Sequence, residues 1–131
     1  MPTGSSDQIL KKNVASINDA LQKVVNLRPV TWNWKGDTDN QVHYGFVAQE
    51  LEAVFPHLIS ENVSDAHKRL STHDLIPYMV GAAKEQQAIL ENNELHIKEL
   101  LRRYRSQQQQ ILELQKQIAL LKAKKQANAE I

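Results

Sequence analysis

Cysteine is absent from the chain. That excludes a disulfide framework, a thiolate nucleophile and any metal site built on cysteine. Aromatic residues are scarce at 5%, and the hydrophobic share of 41% lies below the usual range of a globular domain. Over 131 residues this excludes one compact core of full size. A small domain carrying an extension fits better. No run approaches the roughly 18 apolar residues of a membrane-spanning helix. The opening MPTGSS has neither the basic start nor the apolar stretch of a signal peptide, so residues 1–5 read as a leader. Neither sign of charge dominates: the net charge is +1 with both signs interspersed. A dedicated nucleic-acid surface needs clustered base, and none is expected here. There is no Gly-rich phosphate loop and no His-Glu-x-x-His pattern. The five histidines (His43, His57, His67, His73, His96) are scattered, with no two at i, i+4 on one predicted helix. No metal and no cofactor are therefore expected.

What the chain does have is divided unevenly. Both tryptophans, both phenylalanines and most turn signals fall within residues 6–72, whereas residues 74–131 are rich in Gln, Leu, Ile, Lys and Glu. Val14, Ile17, Leu21, Val24 and Val25 recur at helical spacing, which predicts an amphipathic helix over 12–27, stopped by Pro29. VTWNWK at 30–35 alternates strictly, with Val30, Trp32 and Trp34 on one face and Thr31, Asn33 and Lys35 on the other. It reads as a half-buried strand paired, across the turn GDTDNQ, with VHYGFVA at 42–48. QELEAVF gives one or two helical turns closed by Pro56, and HLISEN with KRLSTH suggests a second short hairpin around residue 64.

From Thr72 or Asp74 a long helix begins, with Pro77 tolerated in its first turn. With Ile97 at heptad position a, the a residues are Leu90, Ile97, Tyr104, Ile111 and Ile118, and the d residues are Asn93, Leu100, Gln107, Leu114 and Leu121. Five such heptads are a coiled-coil signature, and a lone helix cannot bury its own stripe. The fold class is α+β: a head of helices and short β-hairpins over 6–72, then a long C-terminal helix over 73–131 that forms a coiled coil. A helix folded back on itself is the alternative, but no Gly or Pro after Gly81 provides the turn.

Chemistry is hardest to place. Without a family in view, Gly45 allows close packing in a strand, and Gln49 and Glu50 are ordinary helix-start residues. SSDQILKKN at 5–13 remains. Ser and Asp are good helix N-caps, which is one reading. The other makes Ser6 a nucleophile and Lys11 its base. A hydroxyl attacks only when a base takes its proton, and a lysine is that base only when burial or a neighbouring charge favours its neutral form. On an ideal α-helix positions i and i+5 lie about 140° apart, so the two would not share a face. If Ser6 precedes the helix, the stem of Lys11 can fold back to it. The spacing permits the pair without demanding it.

SDQILKKNV, LRPVTWNWK and HYGFVAQELEAVFP, followed by a coiled coil, resemble the C-terminal intramolecular chaperone domain of phage tailspikes and tail fibres. That serine–lysine autoprocessing family also occurs in a membrane-bound myelin transcription factor. The matching positions are Ser6, Asp7, Lys11, Asn13 and Val14, then His43, Gly45, Phe46, Val47, Ala48, Gln49 and Glu50, with Phe55-Pro56 in place. The resemblance implies a homotrimer joined by the C-terminal helices, with an upstream tail fibre or tailspike as folding client. It implies self-cleavage between Ser5 and Ser6, with residues 1–5 a leader or a remnant of the upstream fibre, and a place of action in the host cell cytoplasm during virion assembly. It makes Ser6 and Lys11 the catalytic pair and Asp7, Asn13, His43 and Gln49 candidates for supporting it. The heptad core itself does not read clearly as trimeric. Two other readings compete. One is a coiled-coil adaptor that cleaves nothing. The other is a DNA-binding dimer using LLRRYRSQ and KAKK, whose basic residues are split and balanced by Glu91, Glu94, Glu99 and Glu113.

Overall fold

The computed structural model describes residues 6–130. The chain divides into two compact units, one ending at Gln87 and the other beginning at Ala88.

The first unit opens with an arm, residues 6–19, whose only regular turn is a 3-10 turn over Gln8–Leu10. The helix expected over 12–27 shrinks to α1, Ala20–Val24. Two residues stop it from starting earlier. Asn13 and Asp19 adopt left-handed backbone, with φ of 56° and 58°, a conformation that short polar side chains tolerate and a right-handed helix does not contain. The periodicity of Val14 and Ile17 is not used for packing, since they remain 77% and 39% exposed.

β1 (Val30–Trp32) and β2 (His43–Gly45) pair antiparallel in the register Val30 with Gly45, Thr31 with Tyr44 and Trp32 with His43. The expected hairpin forms, with shorter strands. Beyond Trp32 the Asn33 side chain donates to the Asn40 and Gln41 carbonyls, each at 2.8 Å, and takes over from the ladder. On the other side Ala48 already begins α2 (Ala48–Val54). A 3-10 turn over Pro56–Leu58 follows, and leads into the second hairpin, β3 (Ile59–Glu61) against β4 (Lys68–Leu70). The core is small: Leu51, Phe55, Leu58 and Leu75, flanked by Val24, Leu27, Phe46, Val54, Ile59, Leu70 and Tyr78. Phe55 stacks obliquely on Tyr78 with ring centres 4.5 Å apart, and Tyr78 Oη lies 3.0 Å from His57 Nε2. The amphipathic spacing of Leu51, Phe55 and Leu58 is what closes α2 and its following turn onto the first turns of α3.

α3 runs Leu75–Ala129 without interruption, with Pro77 in its first turn. It does not fold back. In the second unit its heptad residues Leu90, Ile97, Leu100, Tyr104, Ile111, Leu114, Ile118 and Leu121 are all exposed, between 46% and 65%. No helix among the described residues is long and apolar enough to cross a membrane.

Candidate active site

The arm brings Ser6 and Lys11 together. Asp7 sits in extended backbone and its Oδ1 accepts from the Ile9 amide at 3.1 Å, which caps the 3-10 turn. The turn closes through Leu10 N–H to the Asp7 carbonyl and Lys11 N–H to the Gln8 carbonyl, both 3.1 Å. Three residues per turn reverse the chain more tightly than an α-helix. The Lys11 stem then returns to Ser6, and Lys11 Nζ donates to Ser6 Oγ at 2.5 Å. All these bonds lie within six consecutive residues, so the contact needs no other part of the molecule. A protonated lysine donates in this arrangement; a neutral one would accept the serine proton across the same line. Both residues are exposed. Ser5, on the other side of the proposed cleavage site, lies outside the described residues, as does the rest of the leader.

The four supporting candidates divide. Asp7 caps the turn. Asn13 redirects the arm two residues after Lys11 by its positive φ. His43 stands on β2, stacked on Trp32 with ring centres 5.8 Å apart and planes at 25°, and tilted against Trp34 at 5.8 Å. Gln49 is exposed in the first turn of α2. Among the described residues no hydrogen bond joins Asn13, His43 or Gln49 to Ser6 or Lys11.

The His43 platform explains Gly45. A Cβ at Gly45 would lie 3.0 Å from Trp32 Cη2 and 3.1 Å from Cζ3, so the missing side chain leaves room for the indole. An aromatic covering a strand glycine is a recurrent device of antiparallel pairs. Next to Gln49, Glu50 accepts two bonds from Arg28, Nε at 3.1 Å and a terminal nitrogen at 2.5 Å. The Arg28 hydrogen bond holds the Glu50 carboxyl below its ordinary range. This fork fastens the start of α2 to the segment leading into β1. Among the described residues no three His, Asp or Glu side chains gather where they would hold a metal.

Glu85, on α3, was not suggested by the sequence. Its carboxylate accepts from the Ala20 amide at 3.2 Å and the Leu21 amide at 2.6 Å. Nothing local announces a bond across 64 positions. The one readable hint is Asp19, a good capping residue whose side chain makes no cap bond here.

Residues 6–60 match the family model described as chaperone of endosialidase, a peptidase family. Among curated proteins no relative matches the chain. The match starts at Ser6, the residue whose hydroxyl meets Lys11, and ends inside β3, before the long helix. It supports a chaperone role. By this match residues 6–60 are similar to the chaperone-of-endosialidase family of peptidases.

Proposed function

We propose that this chain is an intramolecular chaperone that trimerises through α3, guides the folding of an upstream phage tail fibre or tailspike, and frees it by cutting the Ser5–Ser6 bond. The observation that carries the reading is the 2.5 Å contact of Lys11 Nζ with Ser6 Oγ, formed at the first residue of the family match. In this mechanism the neutral Lys11 amine takes the hydroxyl proton as Ser6 Oγ attacks the Ser5 carbonyl carbon. The tetrahedral adduct collapses to an ester on Oγ, and the Ser6 nitrogen leaves as an amine carrying the proton delivered by Lys11. Water then hydrolyses the ester, which restores the hydroxyl and gives Ser5 a carboxylate.

The physics of fibres explains why such a helper is useful. Interlocked trimeric β-folds have high contact order and sticky edges, so they assemble slowly and aggregate readily. Joining three chains at one end replaces a three-body search with an effective concentration of about millimolar. Cutting afterwards leaves the client kinetically trapped, because the helper is no longer attached. Assembly in the host cytoplasm, with the client passing into the virion tail, follows from the same reading.

The test is mass spectrometry of the chain fused to the upstream residues of its own reading frame. Two fragments divided before Ser6 are expected, and Ser6→Ala is expected to stay intact while remaining folded, since an exposed hydroxyl contributes little to stability. An intact wild-type fusion, or normal cutting by the alanine variant, overturns the reading and leaves a coiled-coil adaptor in its place.

A further inference from the structure

The first turns of α3 carry two apolar faces, and the head uses only one of them. Leu75 and Ala82 are buried and Tyr78 packs against the core, so this face closes the head. Ile76, Met79 and Val80 stay more than half exposed. At 3.6 residues per turn the two faces lie about a third of a turn apart. Counting heptads back from Ile97 puts Ile76 and Ala83 at a, and Met79 and Gln86 at d. The register read from Leu90 onward is thus already kept by the bare face of these first turns.

We infer that the interface between copies begins inside the head, at Ile76 and Met79, and that its occupant is a second copy of this chain, parallel and in register. The inference deepens the assembly reading above and rests on it. The polar d residues select the partner. Gln86, Asn93 and Gln107 are exposed in the single chain, Asn93 following Gln86 by one heptad and Gln107 following Asn93 by two. A polar side chain in a seam is satisfied opposite another polar group and costly opposite an apolar one. In parallel and in register each of the three meets itself, and an amide brings both donors and an acceptor. Sliding the partner by one heptad sets Asn93 against Leu100 and Gln107 against Leu114. Reversing it does not restore the match, because the uneven spacing does not superimpose on itself. The flanks agree. In a parallel pair Arg103 at g faces Gln108 at e, Gln110 faces Gln115 and Gln117 faces Lys122, so self-pairing brings no like charges together. The chain's own helix therefore matches every layer, and its parallel alignment sets the first turns of α3 from each copy side by side.

The natural absence of cysteine makes the test direct. Met79→Cys, Ile76→Cys and Gln107→Cys are each introduced singly into the full chain, with Lys84→Cys at an exposed position off the seam as the control. Cross-linking under a mild oxidant is followed on non-reducing gels, and circular dichroism verifies that each variant is folded. A disulfide needs Cα atoms within about 7 Å. Met79→Cys and Gln107→Cys are both expected to link to themselves at least about tenfold faster than Lys84→Cys, because the seam holds them at high effective concentration. A reversed partner cannot bring both positions onto themselves. Ile76→Cys decides the question if Met79→Cys does not fold. Rapid linking at Gln107 with control rates at Met79 and Ile76 overturns the inference alone, since the seam would then stop short of the head. An oligomer by sedimentation in which neither end links to itself overturns the parallel register. A wild-type chain that sediments as a monomer overturns the assembly reading and this inference with it.

Discussion

Lys11 reaches Ser6 because the intervening residues form a 3-10 turn with Asp7 as its cap. On a regular α-helix the same two positions diverge. The partnership was legible in the sequence because everything it needs lies within residues 6–11. Asn13, His43 and Gln49 were placed on motif resemblance, and the positions of His43 and Gln49 depend on the hairpin and on α2, which a spacing argument does not reach. Glu85 was illegible for the same reason, since its partners lie 65 and 64 residues away. The chemistry of Lys11 sets a sharp expectation. Arginine keeps the charge and most of the stem, but a guanidinium does not deprotonate in proteins. Lys11→Arg should therefore assemble normally and fail to cut the upstream fusion, while Lys12→Arg should cut at the wild-type rate. A time course of cleavage for both variants checks this. Equal rates for Lys11→Arg and wild type would remove lysine from the mechanism and leave Ser6 without a base.

Elements were legible where pattern and packing agree. The alternation in VTWNWK gives β1 because Val30 and Trp32 turn one side inward while Thr31 faces solvent. The heptads give α3 because no left-handed residue interrupts them. The arm shows the opposite case: Val14 and Ile17 keep helical spacing, yet Asn13 and Asp19 break the backbone around them, a choice that composition does not reveal. On α3, Glu99 accepts from Arg102 Nε at 3.0 Å and from a terminal nitrogen at 2.8 Å, and from Arg103 Nε at 2.9 Å. Lys98 pairs with Glu94 at 3.0 Å. These basic residues are engaged by acids of their own helix, which counts against their use on DNA. The hydrogen bonds from Arg102 and then Arg103 bring the Glu99 carboxyl from 4.5 down to about 2. A carboxyl whose folded value is depressed stabilises the folded state above its unfolded value and ceases to do so as pH falls through the folded one. Helix stability from this triad should thus be complete above 4.5 and disappear toward 2. Thermal melts of wild type and Glu99→Gln across that window should converge as pH falls. Parallel curves would show that the triad contributes nothing, the common fate of exposed ion pairs.

At the scale of the whole molecule, exposed apolar surface is the main unresolved term. The stripe of α3 from Leu90 to Leu121 is bare, and so are Ile9 at 90%, Val14 at 77% and Tyr44 at 79% on the head. Apolar area of this extent is favourable to cover, at about 25 cal/mol per Å². The chain is therefore expected to be an oligomer, and the proposed function predicts a trimer. Ile at a with Leu at d would by itself favour two strands, but Tyr104 at a and Asn93 and Gln107 at d depart from that rule. Sedimentation equilibrium near neutral pH should return three times the chain mass of 14.9 kDa; a monomer or a stable dimer would refute the trimer. Assembly and cutting should also be linked. An ordinary lysine amine, with a pKa of about 10.4, is neutral in only about one molecule in 2,500 at pH 7. In the single chain Lys11 stands in solvent. Packing of three arms and heads would remove water from the Ser6–Lys11 turn and favour the neutral amine. Cleavage of the upstream fusion should then begin only in assembled protein, which places client folding before release. Charged substitutions at Ile111 and Ile118 that dissolve the stripe, with the turn at residues 6–11 untouched, should stop cutting. Cleavage that continues at the wild-type rate in the resulting monomer would show that the turn is competent alone, and that some other event sets the order of folding and release.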